Sequence, residues 1–147
     1  MGTQASGVYL PTDDDSVYES TNLANAGWYE EGQHGGALAA LVAGHMERVP
    51  SLARMSISRM TLEIFRVVPL VPLRLETSIV REGKRIQVVE ARVHDPDGRE
   101  LARAHIQRLR LSNVGLPTAV SESPPPFPGP DSFALDQSVG WGHGPEG

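Results

Sequence analysis

The residues best placed to do chemistry are Gln33-His34-Gly35-Gly36, which run directly into the apolar segment Ala37–Val49. Two adjacent glycines at a helix entrance leave no Cβ in the way of an approaching backbone or ligand. The first turn of that helix carries unpaired N–H groups and the positive end of the macrodipole. Such a site holds an anion or a polarised carbonyl oxygen. Gly35 and Gly36 are therefore the expected main-chain donors, with His34 orienting them or touching the carbonyl and Gln33 assisting. The segment behind them, Ala37 to Met46, contains no carboxylate and almost no polar side, which predicts a helix buried nearly all round.

Other reactive groups point elsewhere. There is no cysteine, so thiolate catalysis, disulfides and cysteine-ligated zinc are excluded. No Gly-x-Ser-x-Gly elbow occurs. His94, His105 and His143 have no metal-ligand spacing, and no metal is expected. Asp13-Asp14-Asp15 lacks the alternating oxygen ligands of a calcium loop and reads as a solvated turn. Glu63 beside Arg59 and Arg66 alternates with apolar neighbours as one member of a polar strand face.

The elements that must carry these residues follow from periodicity. Short strands are expected near 7–10 and 17–19. Asn22 to Glu31 is irregular and carries Trp28 and Tyr29, expected to lid or anchor the helix entrance. The helix is predicted over about 35–49, stopped by Pro50. The period then changes to two, predicting strands over about 56–66, 73–81, 85–94 and 100–111, with hairpin turns at Glu82-Gly83-Lys84 and Asp95-Pro96-Asp97-Gly98. The last strand offers Ala102, Ala104 and Ile106 as a low face against which a helix can lie. A single domain over 1–116 is expected, followed over 117–147 by a Pro/Gly-rich linker or tail containing Pro124-Pro125-Pro126. One helix among so many strands implies an α+β layout with the sheet curled around it.

The chain has 147 residues, 13 basic against 18 acidic, and a formal charge of −5. That balance argues against a nucleic-acid partner. No apolar run reaches the ~20 residues of a membrane span, and no secretory signal is visible, so a cytoplasmic location is expected.

Gly32-Gln33-His34-Gly35-Gly36-Ala37-Leu38-Ala39-Ala40-Leu41, Arg59 to Pro69, Val80 to Arg85 and Ala102-Arg103-Ala104 together resemble the N-terminal hotdog repeat of acyl-CoA thioesterase II-type and related thioesterase-like proteins. The resemblance covers roughly Tyr18 to Leu111. It implies the hotdog fold and hydrolysis of fatty acyl-CoA thioesters, with no cofactor beyond the coenzyme A of the substrate. In that family main-chain N–H groups at the helix start hold the thioester oxygen, and an acid further along the helix acts on water or the carbonyl. Here Ala43 stands at that acid's position, so the acid is expected from a second hotdog half; a homodimer or a second repeat is the expected partner, and a self-pair would still lack the helix acid. The resemblance also brings Gln107 forward as a catalytic analogue and Thr61, with Gln33 and Trp28, as substrate-binding candidates. Lys84, Arg85, Arg108 and Arg110 could meet the coenzyme A phosphates, with plain surface charge as the default for each. The alternative function is a non-catalytic acyl-CoA-binding or structural hotdog half. A hydratase on the same fold lacks a His/Asp pair near the helix start.

Overall fold

The structure is a computed structural model and describes residues 7–27, 32–115 and 117. Its first compact unit, Met1–Leu111, contains one α-helix and six strands. In order these are β1 (Tyr9–Pro11), β2 (Val17–Ser20), α1 (Gly35–Glu47), β3 (Met55–Ile64), β4 (Leu73–Arg81), β5 (Ile86–His94) and β6 (Glu100–Arg110), with a 3-10 turn at Asn22–Ala24. The strands form one antiparallel sheet in the order β1-β2-β4-β5-β6-β3. The sheet is strongly curled around α1, which is the hotdog fold. Nearly all of the proposed 117–147 linker lies outside the described residues.

The helix packs through Leu38, Val42 and Met46, spaced four residues apart and each fully buried. Facing them are Leu73, Leu75, Val89, Ala91, Val93, Ala102, Ala104 and Ile106. Ala91 pairs with Ala104 and Val93 with Ala102, so the middle of the sheet is low and the helix axis comes close. The expectation of a helix buried all round is corrected: Gly36, Ala40 and Gly44 are exposed. One curled sheet covers one side of a helix, and the small residues on the other side remain open within this chain. The helix also stops at Glu47, two residues before the expected end, with Arg48 as its C-cap.

A buried cation closes that end. Arg108 is 4% exposed, and its Nη1 donates to the Val49 carbonyl (2.7 Å) and to Gln87 Oε1 (2.8 Å). The buried Gln87 in turn donates through Nε2 to the Pro50 carbonyl (2.7 Å). The guanidinium thus sits against the negative end of the helix dipole, where a cation is favoured. This corrects the suggestion that Arg108 could reach coenzyme A phosphates. Residues 102, 104, 106 and 108 share the inward face of β6, so its side chain enters the core. At the other hairpin, Gly98 has φ +78°, as its turn position requires.

Candidate functional site

The helix start is held by its own flanks. His34 is the N-cap, with extended backbone (φ −70°, ψ 127°), and its Nδ1 accepts the Gly36 N–H at 2.9 Å. The His34 carbonyl accepts from Ala37 N (2.9 Å) and Leu38 N (3.2 Å). Of the first four helical N–H groups, only that of Gly35 has no acceptor among the described residues. The two-glycine donor pair expected from sequence is therefore unequal: Gly36 is occupied by the cap, and Gly35 is available. No carboxylate lies in the helix before Glu47, which is exposed at its far end.

Gly35 lies against the edge strand. A Cβ built on it would come within 3.3 Å of Ile64 Cδ1, the last side chain of β3. Ile64, Phe65 and Val67 are 45%, 48% and 54% exposed, an open apolar run that begins at the side chain against Gly35. The Arg103 guanidinium lies 6.0 Å from the Phe65 ring centroid.

Gln33 does not present its amide to this opening. It is 8% exposed; its Oε1 accepts from Tyr9 Oη and its Nε2 donates to the Pro69 carbonyl (2.6 Å). Its backbone N–H donates to Val68 (2.8 Å), and the next N–H, of His34, donates to Ala24 (2.7 Å). Burial pushes the Tyr9 phenol up to about 12, so its hydroxyl stays a donor.

Thr61 and Gln107 stand apart from the helix start. Met60, Leu62 and Ile106 belong to or pack on the core, so strand alternation turns Thr61 and Gln107 to the outer face of the sheet. There Gln107 Nε2 is 3.4 Å from Ser58 Oγ, and Arg59 Nη2 is 3.5 Å from Gln107 Oε1. The same face carries ion pairs of Glu90 with Arg92 (2.9 Å) and His105 (3.1 Å), and of Glu100 with Arg103 (2.7 Å). Glu63 is exposed and pairs in register with Arg103, in keeping with a solvated face. Trp28 lies outside the described residues. His45 is half-buried, with Nδ1 2.7 Å from Tyr18 Oη, and burial depresses its pKa, the Arg48 charge adding to the effect. No group of three or more His, Cys, Asp or Glu side chains able to hold a metal occurs among the described residues.

A capped glycine helix start, inside a curled sheet and beside an open apolar edge, can polarise a carbonyl oxygen of a molecule with an apolar tail. Residues 25–111 match the family model described as the acyl-CoA thioesterase N-terminal domain. The chain belongs to that family. Similar solved structures carry the same fold at low identity. One is a Bacillus halodurans protein crystallised with CoA (22% identity, 69% of this chain and 70% of that one, TM-score 0.56). A second is the E. coli PaaI protein from the phenylacetic acid degradation operon (17%, 65% and 72%, TM-score 0.57). A third is a hypothetical thioesterase from Streptococcus pneumoniae with coenzyme A (18%, 63% and 75%, TM-score 0.54). At these identities the likeness concerns fold. No curated protein matches the sequence. No helix among the described residues is long and apolar enough to cross a membrane.

Sequence reasoning missed Tyr9 and the occupied state of Gln33. Tyr9 is 24 positions from Gln33, and no local pattern connects a three-residue strand to a helix cap.

Proposed function

We propose that this domain is one half of an acyl-CoA thioesterase, in which the Gly35 N–H holds the thioester oxygen and a second hotdog unit supplies the acid. The observation that carries the reading is the single unoccupied N–H in the first turn of a 13-residue helix, in a domain of the acyl-CoA thioesterase family. A charge developing on the thioester oxygen would meet a fixed donor and the positive end of the helix dipole, both oriented before the reaction begins. The missing carboxylate supports the second unit: Ala43 and its neighbours offer no base. The geometry supports it as well, because the helix start abuts the last residue of an edge strand, and a unit joined to that edge would roof it. His34 acts through the cap. Gly36 acts by leaving room for the imidazole. Gln107 and Thr61, on the outer face, would serve only toward such a second unit.

The test removes one hydrogen. Proline is tolerated at the first position of a helix, and His34 already has the extended backbone a following proline needs. Gly35→Pro in the paired protein is expected to lower kcat for acyl-CoA hydrolysis by roughly 10²- to 10³-fold. Gly35→Ala adds a Cβ against Ile64 but keeps the N–H, and should retain most of the rate. Unchanged turnover in Gly35→Pro would remove the assignment. The helix without a carboxylate also favours the second reading, an acyl-CoA-binding half; tight binding of acyl-CoA with no turnover in the paired protein would select it.

A further inference from the structure

We infer that Tyr9, on a strand outside the family-matched segment 25–111, is a positioning residue for the Gly35 donor and acts entirely through Gln33. This rests on the reading of Gly35 given above. The direction of the Gly35 N–H is fixed by the peptide joining it to His34, so whatever pins residues 33 and 34 sets the donor. Downstream, the Gly36 N–H is tied to His34 Nδ1. Upstream, the backbone N–H groups of Gln33 and His34 are tied to Val68 and Ala24.

The Gln33 side chain adds a further hold on the chain as it enters the helix. A glutamine amide has a donor end and an acceptor end, and both are used here. The NH2 end bonds Pro69, in the segment that also forms an isolated bridge with Gly32. The oxygen end takes the Tyr9 hydroxyl. Without that hydroxyl the oxygen is left buried with no donor, at a residue only 8% exposed. Such a group rotates or moves toward water to regain a partner. Rotation releases Pro69 and slackens the entry to the helix. Because burial holds the phenol up at about 12, the clamp stays protonated throughout the neutral range and adds no titration of its own.

Both residues are assigned indirect roles. Gln33 is 8% exposed with both ends of its amide bonded within the protein, and Tyr9 donates its one proton to Gln33. Gln33 is thus a positioning residue too. The N-terminal strand pair β1–β2 thereby becomes part of the apparatus that aims the donor.

Tyr9→Phe removes only the hydroxyl. In the paired protein it is expected to lower kcat for acyl-CoA by roughly ten- to a hundredfold, as sub-ångström misplacement of a reacting group does, with KM changed by less than about threefold. Combined with Gly35→Pro, where the donor is already gone, Tyr9→Phe should cost nothing further, because interacting sites are non-additive. A packing role would lower kcat by the same factor in both backgrounds, and that result overturns the inference, as does full kcat in Tyr9→Phe alone. If Gly35→Pro itself leaves kcat unchanged, the reading of Gly35 fails instead, so the two failures are separable. A measurement independent of turnover is the amide exchange of His34 and Gly36, the bonded neighbours of the Gly35 donor, in the single chain. It should accelerate at least about tenfold in Tyr9→Phe, while β5 and β6 amides keep their rates. Equal protection at these two residues in both proteins overturns the inference whatever the activity.

Discussion

At the residue scale, the first turn of α1 shows how one side chain decides which donor is free. His34 satisfies Gly36, and Gly35 is left as the donor with no acceptor among the described residues. The glycine at position 36 follows from the cap, since a Cβ there would lie 3.0 Å from both His34 Cε1 and Nδ1. The stability consequences have opposite signs. Losing an N-cap costs about 0.5–2 kcal/mol, whereas alanine in place of glycine gains up to about 1 kcal/mol in a helix. His34→Ala should therefore lose roughly 1 kcal/mol in urea unfolding. Gly36→Ala should be close to neutral in the parent, where the new methyl displaces the imidazole, and stabilising in the His34→Ala background. Equal effects of Gly36→Ala in both backgrounds would mean that the cap and the glycine are independent.

At the element scale, α1 is held at its far end by Arg108 and Gln87, with no carboxylate paired to Arg108 among the described residues. The helix dipole supplies the counter-charge, and the guanidinium also satisfies the Val49 carbonyl beyond the last turn. Arg108→Met fits the hydrocarbon volume but strands the Val49 carbonyl and Gln87 Oε1. Each buried orphan costs about 1–3 kcal/mol, so a loss of roughly 2–4 kcal/mol in chemical denaturation is expected, with Arg108→Lys intermediate. A loss within experimental error for Arg108→Met would show that the helix end is held by packing alone. This anchor also marks the limit of what the sequence reveals. Strand parity in β3 and at the start of β4 was legible, because period-two alternation is local, and so was the low alanine face of β6. The hidden destination of Arg108 was not: three apolar or small positions on its strand, Ala102, Ala104 and Ile106, face inward, but an arginine reads as surface until the neighbouring helix end is known to need a cation. For the same reason Gln33 reads as a ligand-facing amide, although Tyr9 and Pro69 consume it. The glycine pair was legible as a helix entrance. The inequality of its two donors required knowing the rotamer of His34.

At the scale of the whole molecule, the sheet has two edges, and β3 is the one that matters for the helix start. β1 is three residues long, too short to template much pairing, whereas β3 is ten residues long and open along one side. Long open edges are normally covered or blunted by charge or proline, and β3 ends instead in the exposed apolar run Ile64, Phe65 and Val67. Ile64 of that run borders Gly35, so pairing along this edge would both bury the patch and approach the donor. A second hotdog unit accounts for the open edge, and a second repeat that carries a carboxylate would supply the missing acid as well, which another copy of this helix would not. The chain alone should then self-associate through the same edge, with light scattering giving about twice its 15.9 kDa mass at high micromolar concentration. Ile64→Lys puts a charge into the middle of that contact from each side of a symmetric pair. Burying an isoleucine is worth about 1.5–3 kcal/mol, so losing two of them should weaken pairing by at least roughly a hundredfold. The domain should be left folded, because Ile64 is 45% exposed in the single chain. Where the second unit is a repeat that carries the base, acyl-CoA hydrolysis should fall in step with the fraction paired. Intact pairing in Ile64→Lys would place the contact elsewhere. Full activity from a monomeric variant would return the acid to this chain.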